Sequence, residues 1–64
     1  MQITLKAARI NAGFKQIEAA KLINKSKITL SRWENGKADI PMNEFRKLCN
    51  LYRVDESQIF LPLK

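Results

Sequence analysis

Hydrophobic and polar positions along the chain recur with the spacing of helices. The clearest case is the series Phe45, Leu48, Cys49 and Tyr52, at i, i+3, i+4 and i+7, which places all four side chains on one helical face. No alternation of polar and apolar residues is long enough to predict a sheet. The pattern therefore predicts an all-α fold in which this amphipathic helix forms one side of the core.

Capping and turn residues divide the chain into five short predicted helices. Thr4 and Ser26 are good N-caps for the first and third helices, because their hydroxyls can accept hydrogen bonds from the free N–H groups of a first turn. Gly13 and Gly36 follow the same two helices, at positions where a left-handed residue commonly ends a helix. The predicted helices cover about residues 5–11, 16–23, 27–35, 41–52 and 55–60.

The second and third predicted helices form a helix-turn-helix. They are about eight and nine residues long, and a three-residue turn joins them, as that motif requires. Asn24 suits the turn because asparagine tolerates a positive φ. The residues of the first three helices that we predict to face the core are Leu5, Ala8, Ala12, Ala19, Ala20, Ile23, Leu30 and Trp33.

Positive charge is concentrated in the first part of the chain. The net charge is +6; residues 1–37 carry eight basic side chains against two acidic ones, whereas residues 38–64 carry four of each. Because 64 residues can bury only one small core, the excess belongs to a single predicted domain. A one-sided basic excess of this kind favours a polyanionic partner such as nucleic acid.

The composition argues against several other functions. Histidine is absent and Cys49 is the only cysteine, so we expect no Cys/His metal site, internal disulfide, enzyme activity or cofactor. Cys49 is expected to be a small buried residue rather than a reactive or dimer-bridging thiol. No secretion signal or membrane span is visible. These features predict a protein of the cytoplasm or nucleoid, with no membrane partner and no small-molecule ligand.

The most specific motif in the chain is the run LSRWENGK, from Leu30 to Lys37. Further matching positions precede it at Gln16, Ala20, Ser26 and Thr29. On these residues the chain resembles the Cro/repressor-type, XRE-like helix-turn-helix family, from about residue 5 to residue 60. The resemblance implies a compact five-helix repressor-type DNA-binding domain over residues 1–64, with the motif at about 16–35 and a C-terminal tail at 61–64.

The resemblance also implies a function and a mode of binding. The third helix, residues 27–35, would lie in the major groove of double-stranded DNA while the second crosses the backbone. The chain would then be a sequence-specific transcription regulator, such as a Cro/C1-type repressor from a prophage or mobile element, acting as a homodimer on DNA. The alternative is a protein-interaction or antitoxin-like module with the same fold, since fold does not fix function.

The third helix has two faces, which separates its structural from its functional residues. Leu30 and Trp33 share one face, and Trp33 is expected to be core rather than a stacking platform for bases. Arg32 on the other face can pair with guanine, and Ile28 can contact a thymine methyl group. The alternatives are a solvated charge for Arg32, a phosphate contact for Lys27 and a self-packed or partner-facing Ile28. The predicted base contacts are Lys27, Ile28, Ser31 and Arg32.

The remaining predicted roles follow mainly from the resemblance. Arg9 and Glu34 are expected to form a partly buried structural ion pair. The C-terminal segment QIFLPLK, residues 58–64, offers an apolar surface that either forms a dimer interface or packs on the domain itself. Its candidate dimer-interface residues are Ile59, Phe60, Leu61 and Leu63. The predicted contacts to the DNA backbone are Lys15, Gln16, Lys25, Ser26, Thr29, Asn35 and Lys37.

Overall fold

Four α-helices and one short pair of strands make up the computed structural model, which describes residues 2–61. The elements follow the chain in the order β1, α1, α2, α3, α4, a 3-10 turn and β2. Their bounds are Ile3–Thr4 (β1), Leu5–Asn11 (α1), Gln16–Leu22 (α2), Lys27–Glu34 (α3), Met42–Tyr52 (α4), Glu56–Gln58 (the 3-10 turn) and Ile59–Phe60 (β2).

The starts of α1 and α3 are set by the N-cap residues that were predicted for them. The Thr4 hydroxyl accepts a hydrogen bond from the Ala7 N–H at 3.0 Å, and the Ser26 hydroxyl accepts one from the Thr29 N–H at 3.1 Å. Asn24, in the turn between α2 and α3, has a φ of 61°, as predicted for a residue in the left-handed region. These contacts confirm the helix-turn-helix and fix the start of α3.

The predicted fifth helix is wrong. After a single 3-10 turn the chain extends into β2, which pairs in parallel with β1 through Ile3 opposite Ile59 and Thr4 opposite Phe60. Strands of two residues are too short to show an alternating pattern, so periodicity could not reveal them. The domain therefore remains mainly helical, but a two-stranded sheet joins the two ends of the part that the structure describes.

The core lies between the inner faces of the four helices and β2. Ala12 was predicted to be part of it but is exposed, because it is the C-cap residue and lies beyond the last turn of α1. Phe14 packs against the core, with its ring centroid 6.0 Å from that of Tyr52. The buried apolar residues are Leu5, Ala8, Ala19, Ala20, Ile23, Leu30, Trp33, Phe45, Leu48, Cys49, Tyr52 and Ile59.

Cys49 is one of these core residues, as predicted. Burial raises the pKa of its thiol to about 11, and the nearby carboxylates of Glu56 and Asp55 act in the same direction. The thiol is therefore protonated at neutral pH. Since the thiolate is the reactive form, Cys49 has the properties of a small hydrophobic residue.

Candidate nucleic-acid interface

The outward face of α3 is the centre of the candidate site. Leu30 and Trp33 are buried and hold the helix on the core, whereas Lys27 and Arg32 are exposed on the opposite side. Ile28 lies on that exposed side with 74% of its surface accessible, the highest value among the large exposed hydrophobic residues of the described chain. The helix thus presents two cations and an apolar side chain to solvent.

Ser31 in α3 and Asn35, the C-cap residue of this helix, contact each other. The Asn35 side-chain amide donates a hydrogen bond to the Ser31 hydroxyl at 3.3 Å. Ser31 is half-buried and Asn35 is exposed. Because a hydroxyl has one donor and two acceptor positions, Ser31 retains hydrogen-bonding capacity toward a ligand on this face.

A buried ion pair holds α3 to the rest of the domain. The Arg9 Nε donates to the Glu34 Oε2 at 2.8 Å, and the two side chains are only 9% and 2% exposed. Arg9 also donates through Nη1 to the Phe14 carbonyl at 3.0 Å. Gln16 completes the cluster by donating from Nε2 to the Glu34 Oε1 at 2.9 Å. The cluster therefore ties α1, the following loop and the start of α2 to the last residue of α3.

The start of α2 combines structural contacts with free polar groups. Gln16, predicted to contact the DNA backbone, is half-buried and already donates to Glu34; its amide has a second N–H that could still reach a phosphate. The Lys15 side chain is exposed and makes no capping hydrogen bond. Instead, the Glu18 carboxylate accepts from the Lys15 backbone N–H at 2.8 Å.

The hydroxyls at the start of α3 are used in capping. The Ser26 Oγ lies 2.9 Å from the Thr29 Oγ1, in addition to accepting from the Thr29 N–H. Lys37 lies beyond the other end of α3, where its backbone N–H donates to the Arg32 carbonyl at 2.9 Å. The Lys37 side chain is exposed. The predicted backbone-contacting residues thus lie at both ends of α3 and at the start of α2.

Lys25 forms an ion pair that the sequence reasoning missed. Its Nζ lies 2.9 Å from the Oε2 of Glu44, a residue of α4 whose side chain is 4% exposed, and the Lys47 Nζ lies 3.0 Å from the Oε1. These two ammonium groups hold the pKa of Glu44 below its ordinary value, so it is ionised at neutral pH. The sequence did contain one indication that Glu44 is buried. It lies four residues before Leu48, and this spacing places it on the apolar face of α4.

The candidate dimer-interface residues that the structure describes differ in their burial. Ile59 is buried in the core and pairs with Ile3, so its side chain is covered by the domain itself, and its role in a dimer interface stays a prediction. Phe60 is exposed, and Leu61 packs partly against the core. Leu63 lies outside the described residues.

Other kinds of site are absent from the part of the chain that the structure describes. Within residues 2–61, no group of three or more acidic or cysteine side chains is placed to hold a metal ion. The same residues include no helix long and apolar enough to span a membrane. The exposed face of α3 and its flanking cations therefore remain the main candidate site.

Comparison with known proteins assigns the family. A family model described as helix-turn-helix matches residues 5–59, which run from the first residue of α1 to the first residue of β2. Neither the curated proteins nor the solved structures gave a match. The matched segment covers most of the chain and all four α-helices. The chain therefore belongs to the XRE-type helix-turn-helix family of DNA-binding transcription regulators.

Proposed function

We propose that residues 1–64 act as a single domain that binds specific double-stranded DNA sequences and regulates transcription, with α3 in the major groove. The observation that carries this proposal is the division of α3, in which Leu30 and Trp33 are buried while Arg32 and Ile28 are exposed. An α-helix fits the major groove, where base edges present distinct patterns of donors, acceptors and methyl groups.

The proposed base contacts combine hydrogen bonding with an apolar contact. The Arg32 guanidinium can donate two hydrogen bonds to the O6 and N7 atoms of guanine, and Ile28 can pack against a thymine methyl group. Ser31 adds a hydroxyl that suits several bases, and Lys27 can reach either a base edge or a phosphate. These four side chains read a few base pairs, with Arg32 and Ile28 supplying most of the discrimination.

The proposed phosphate contacts flank this reading face. Lys15 and Gln16 lie at the start of α2, where helix N-terminal N–H groups also favour an anion. Ser26 and Thr29 stand at the start of α3, and Asn35 and Lys37 at its end. Contacts at these places would orient the helix on the duplex without reading its sequence.

The finer proposal concerns the biological setting. The resemblance to Cro/repressor-type regulators supports a regulator carried by a prophage or mobile element, acting in the bacterial cytoplasm or nucleoid. Because one recognition helix reads few base pairs, we propose that two copies bind half-sites about one helical turn apart. Within the part of the C-terminal segment that the structure describes, the residues available for such a dimer are exposed Phe60 and the adjacent Leu61.

Binding to duplex DNA tests the proposed function directly. We expect affinity for a labelled duplex to fall steeply between about 50 and 200 mM salt, because bound cations are released when lysines and arginines neutralise phosphates. Selection from a random duplex pool should return a preferred sequence with a twofold repeat. A protein that shows neither salt-dependent binding nor a sequence preference would contradict the proposal and favour a protein-interaction module with the same fold.

Replacing Ile28 with alanine is expected to weaken binding about fivefold at a selected site that contains its T·A pair. The loss of binding free energy corresponds to about 1 kcal/mol. The apolar contact that disappears at the thymine methyl group is roughly equal to the burial of one methylene group. Fold stability should change by less than about 0.5 kcal/mol, because Ile28 is 74% exposed. Titration of the selected duplex and of one with uracil at that position measures the effect.

The uracil duplex is the matched control for this prediction. Uracil lacks the C5 methyl group, so the wild-type protein should lose affinity for it while the Ile28→Ala variant binds both duplexes alike. If the variant instead unfolds, Ile28 contributes to the core. If it still prefers thymine over uracil to the wild-type extent, another side chain reads the methyl group.

A further inference from the structure

Glu44 is a buried acidic residue in the first turn of α4 whose charge the proposed function does not use. Its two carboxylate oxygens lie 2.9 Å from the Lys25 Nζ and 3.0 Å from the Lys47 Nζ. A carboxylate this far from solvent is stable only when cations compensate its charge. The Glu44 carboxylate therefore takes part in an ordered ionic contact and is not a solvated surface group.

The two lysines contribute to this contact in different ways. Lys47 lies one turn along the same helix as Glu44, so its contact leaves the rest of the domain unconstrained. Lys25 comes from the turn of the helix-turn-helix, and its ion pair crosses from that turn to α4. Of the two ionic contacts, the one made by Lys25 links the motif to α4.

The backbone of Lys25 is fixed as well as its side chain. Its N–H donates to the Ala20 carbonyl at 2.8 Å, which closes the end of α2. The next residue, Ser26, caps α3. The ion pair with Glu44 therefore acts on the turn from which the proposed recognition helix begins.

A phosphate would have to compete with Glu44 for the Lys25 ammonium group. Moving Lys25 to a phosphate would leave the buried carboxylate with Lys47 alone, and removing one partner from a buried charge is unfavourable. A phosphate contact in solvent is weakened by water and salt, whereas the contact with the buried Glu44 carboxylate is already formed at 2.9 Å. Lys25 is thus a poor source of phosphate contacts, although 41% of its side chain is exposed.

We infer that Glu44 is a positioning residue for DNA binding, which holds Lys25 in an ion pair between the turn of the motif and α4 and excludes it from the set of phosphate contacts. This role rests on the proposed function. It replaces the prediction from sequence that Lys25 contacts the DNA backbone. The lysines that neutralise phosphates are then those without a buried partner, with Lys37 as the comparison residue.

The salt dependence of binding tests the role of Glu44. Each phosphate contact contributes about 0.9 to the slope of log affinity against log salt concentration on B-form DNA. With a labelled 20-base-pair duplex of random sequence as the probe, Lys37→Gln should reduce the slope by about 0.9, whereas Lys25→Gln should leave it unchanged. Circular dichroism of each variant establishes that the fold is retained. A reduction by about 0.9 in Lys25→Gln would overturn the inference.

The Glu44→Gln variant supplies the complementary measurement. It removes the carboxylate that holds Lys25, so the freed ammonium group should increase the slope by about 0.9. Adding Lys25→Gln to this variant should return the slope to the wild-type value. An unchanged slope in folded Glu44→Gln would show that Glu44 does not withhold Lys25 and would overturn the inference.

These measurements separate the inference from the proposed function and from loss of the fold. If Lys25→Gln alone does not fold, the double variant replaces it, because the double variant removes both charges of the pair. A slope about 0.9 below the wild-type slope in the double variant again overturns the inference. A wild-type protein that binds no duplex would overturn the proposed function and the role of Glu44 together. Normal wild-type binding with a reduced slope in the Lys25 variant would overturn only the role of Glu44.

Discussion

Replacing Arg9 with alanine is expected to lower the free energy of unfolding by about 3–5 kcal/mol. The substitution leaves the Glu34 carboxylate buried, with the Gln16 amide at 2.9 Å as its remaining hydrogen-bond donor, and it removes the donor to the Phe14 carbonyl. Domains of this size are stable by only about 0.05–0.15 kcal/mol per residue. The variant should therefore unfold at a much lower urea concentration than the wild-type protein.

Urea denaturation followed by tryptophan fluorescence measures this loss, because Trp33 is the only tryptophan and is buried. Arg46→Ala is the matched control. Arg46 also pairs with a glutamate, but at 3.6 Å and with side chains 65% and 45% exposed, and exposed pairs contribute about 0–1 kcal/mol. Equal losses in the two variants would show that burial does not determine the contribution of the Arg9–Glu34 pair.

The features that could be predicted from the sequence depend on nearby residues. Thr4 and Ser26 cap helices whose first turns lie within three residues of them, and Asn24 takes the positive φ that its side chain tolerates. The two faces of α3 also follow from spacing alone, since Leu30 and Trp33 are three residues apart. Local geometry was therefore sufficient to place the helix-turn-helix and its outward residues.

The features that could not be predicted involve residues that are distant in the chain, or a residue type that is uncommon at its position. Lys25 and Glu44 are far apart in sequence, and neither shows by itself that the other is its partner. The pairing of Ile3 with Ile59 joins the two ends of the described chain through two-residue strands. Arg53 adopts a φ of 57° at the end of α4, where glycine would have signalled a left-handed residue. These features follow from tertiary packing, which periodicity and capping rules do not describe.

The position of Arg32 combines exposure with a rigid support, and this affects what its substitution would do. It precedes buried Trp33 and lies two residues before Glu34, which is held by Arg9. Its backbone is therefore held by a well-anchored helix, and binding has to order only the exposed side chain. Such a side chain can discriminate between bases without stabilising the free protein.

Replacing Arg32 with alanine is accordingly expected to weaken binding to the selected site by about 5- to 150-fold. This range corresponds to the loss of about 1–3 kcal/mol from a bidentate contact with guanine. The stability of the free domain should change by less than about 0.5 kcal/mol, since the side chain is exposed. Titrations of the selected duplex and of a random-sequence duplex, at one fixed salt concentration, measure the change in specificity.

Lys37→Ala is the matched control, because Lys37 is exposed just beyond the end of the same helix. A phosphate contact carries no sequence information, so this variant should weaken both duplexes by similar factors and reduce the salt slope by about 0.9. Arg32→Ala should instead lose most of the difference between them. Similar losses on both duplexes for Arg32→Ala would show that Arg32 binds phosphate, and the reading of guanine would then belong to Lys27 or Ser31.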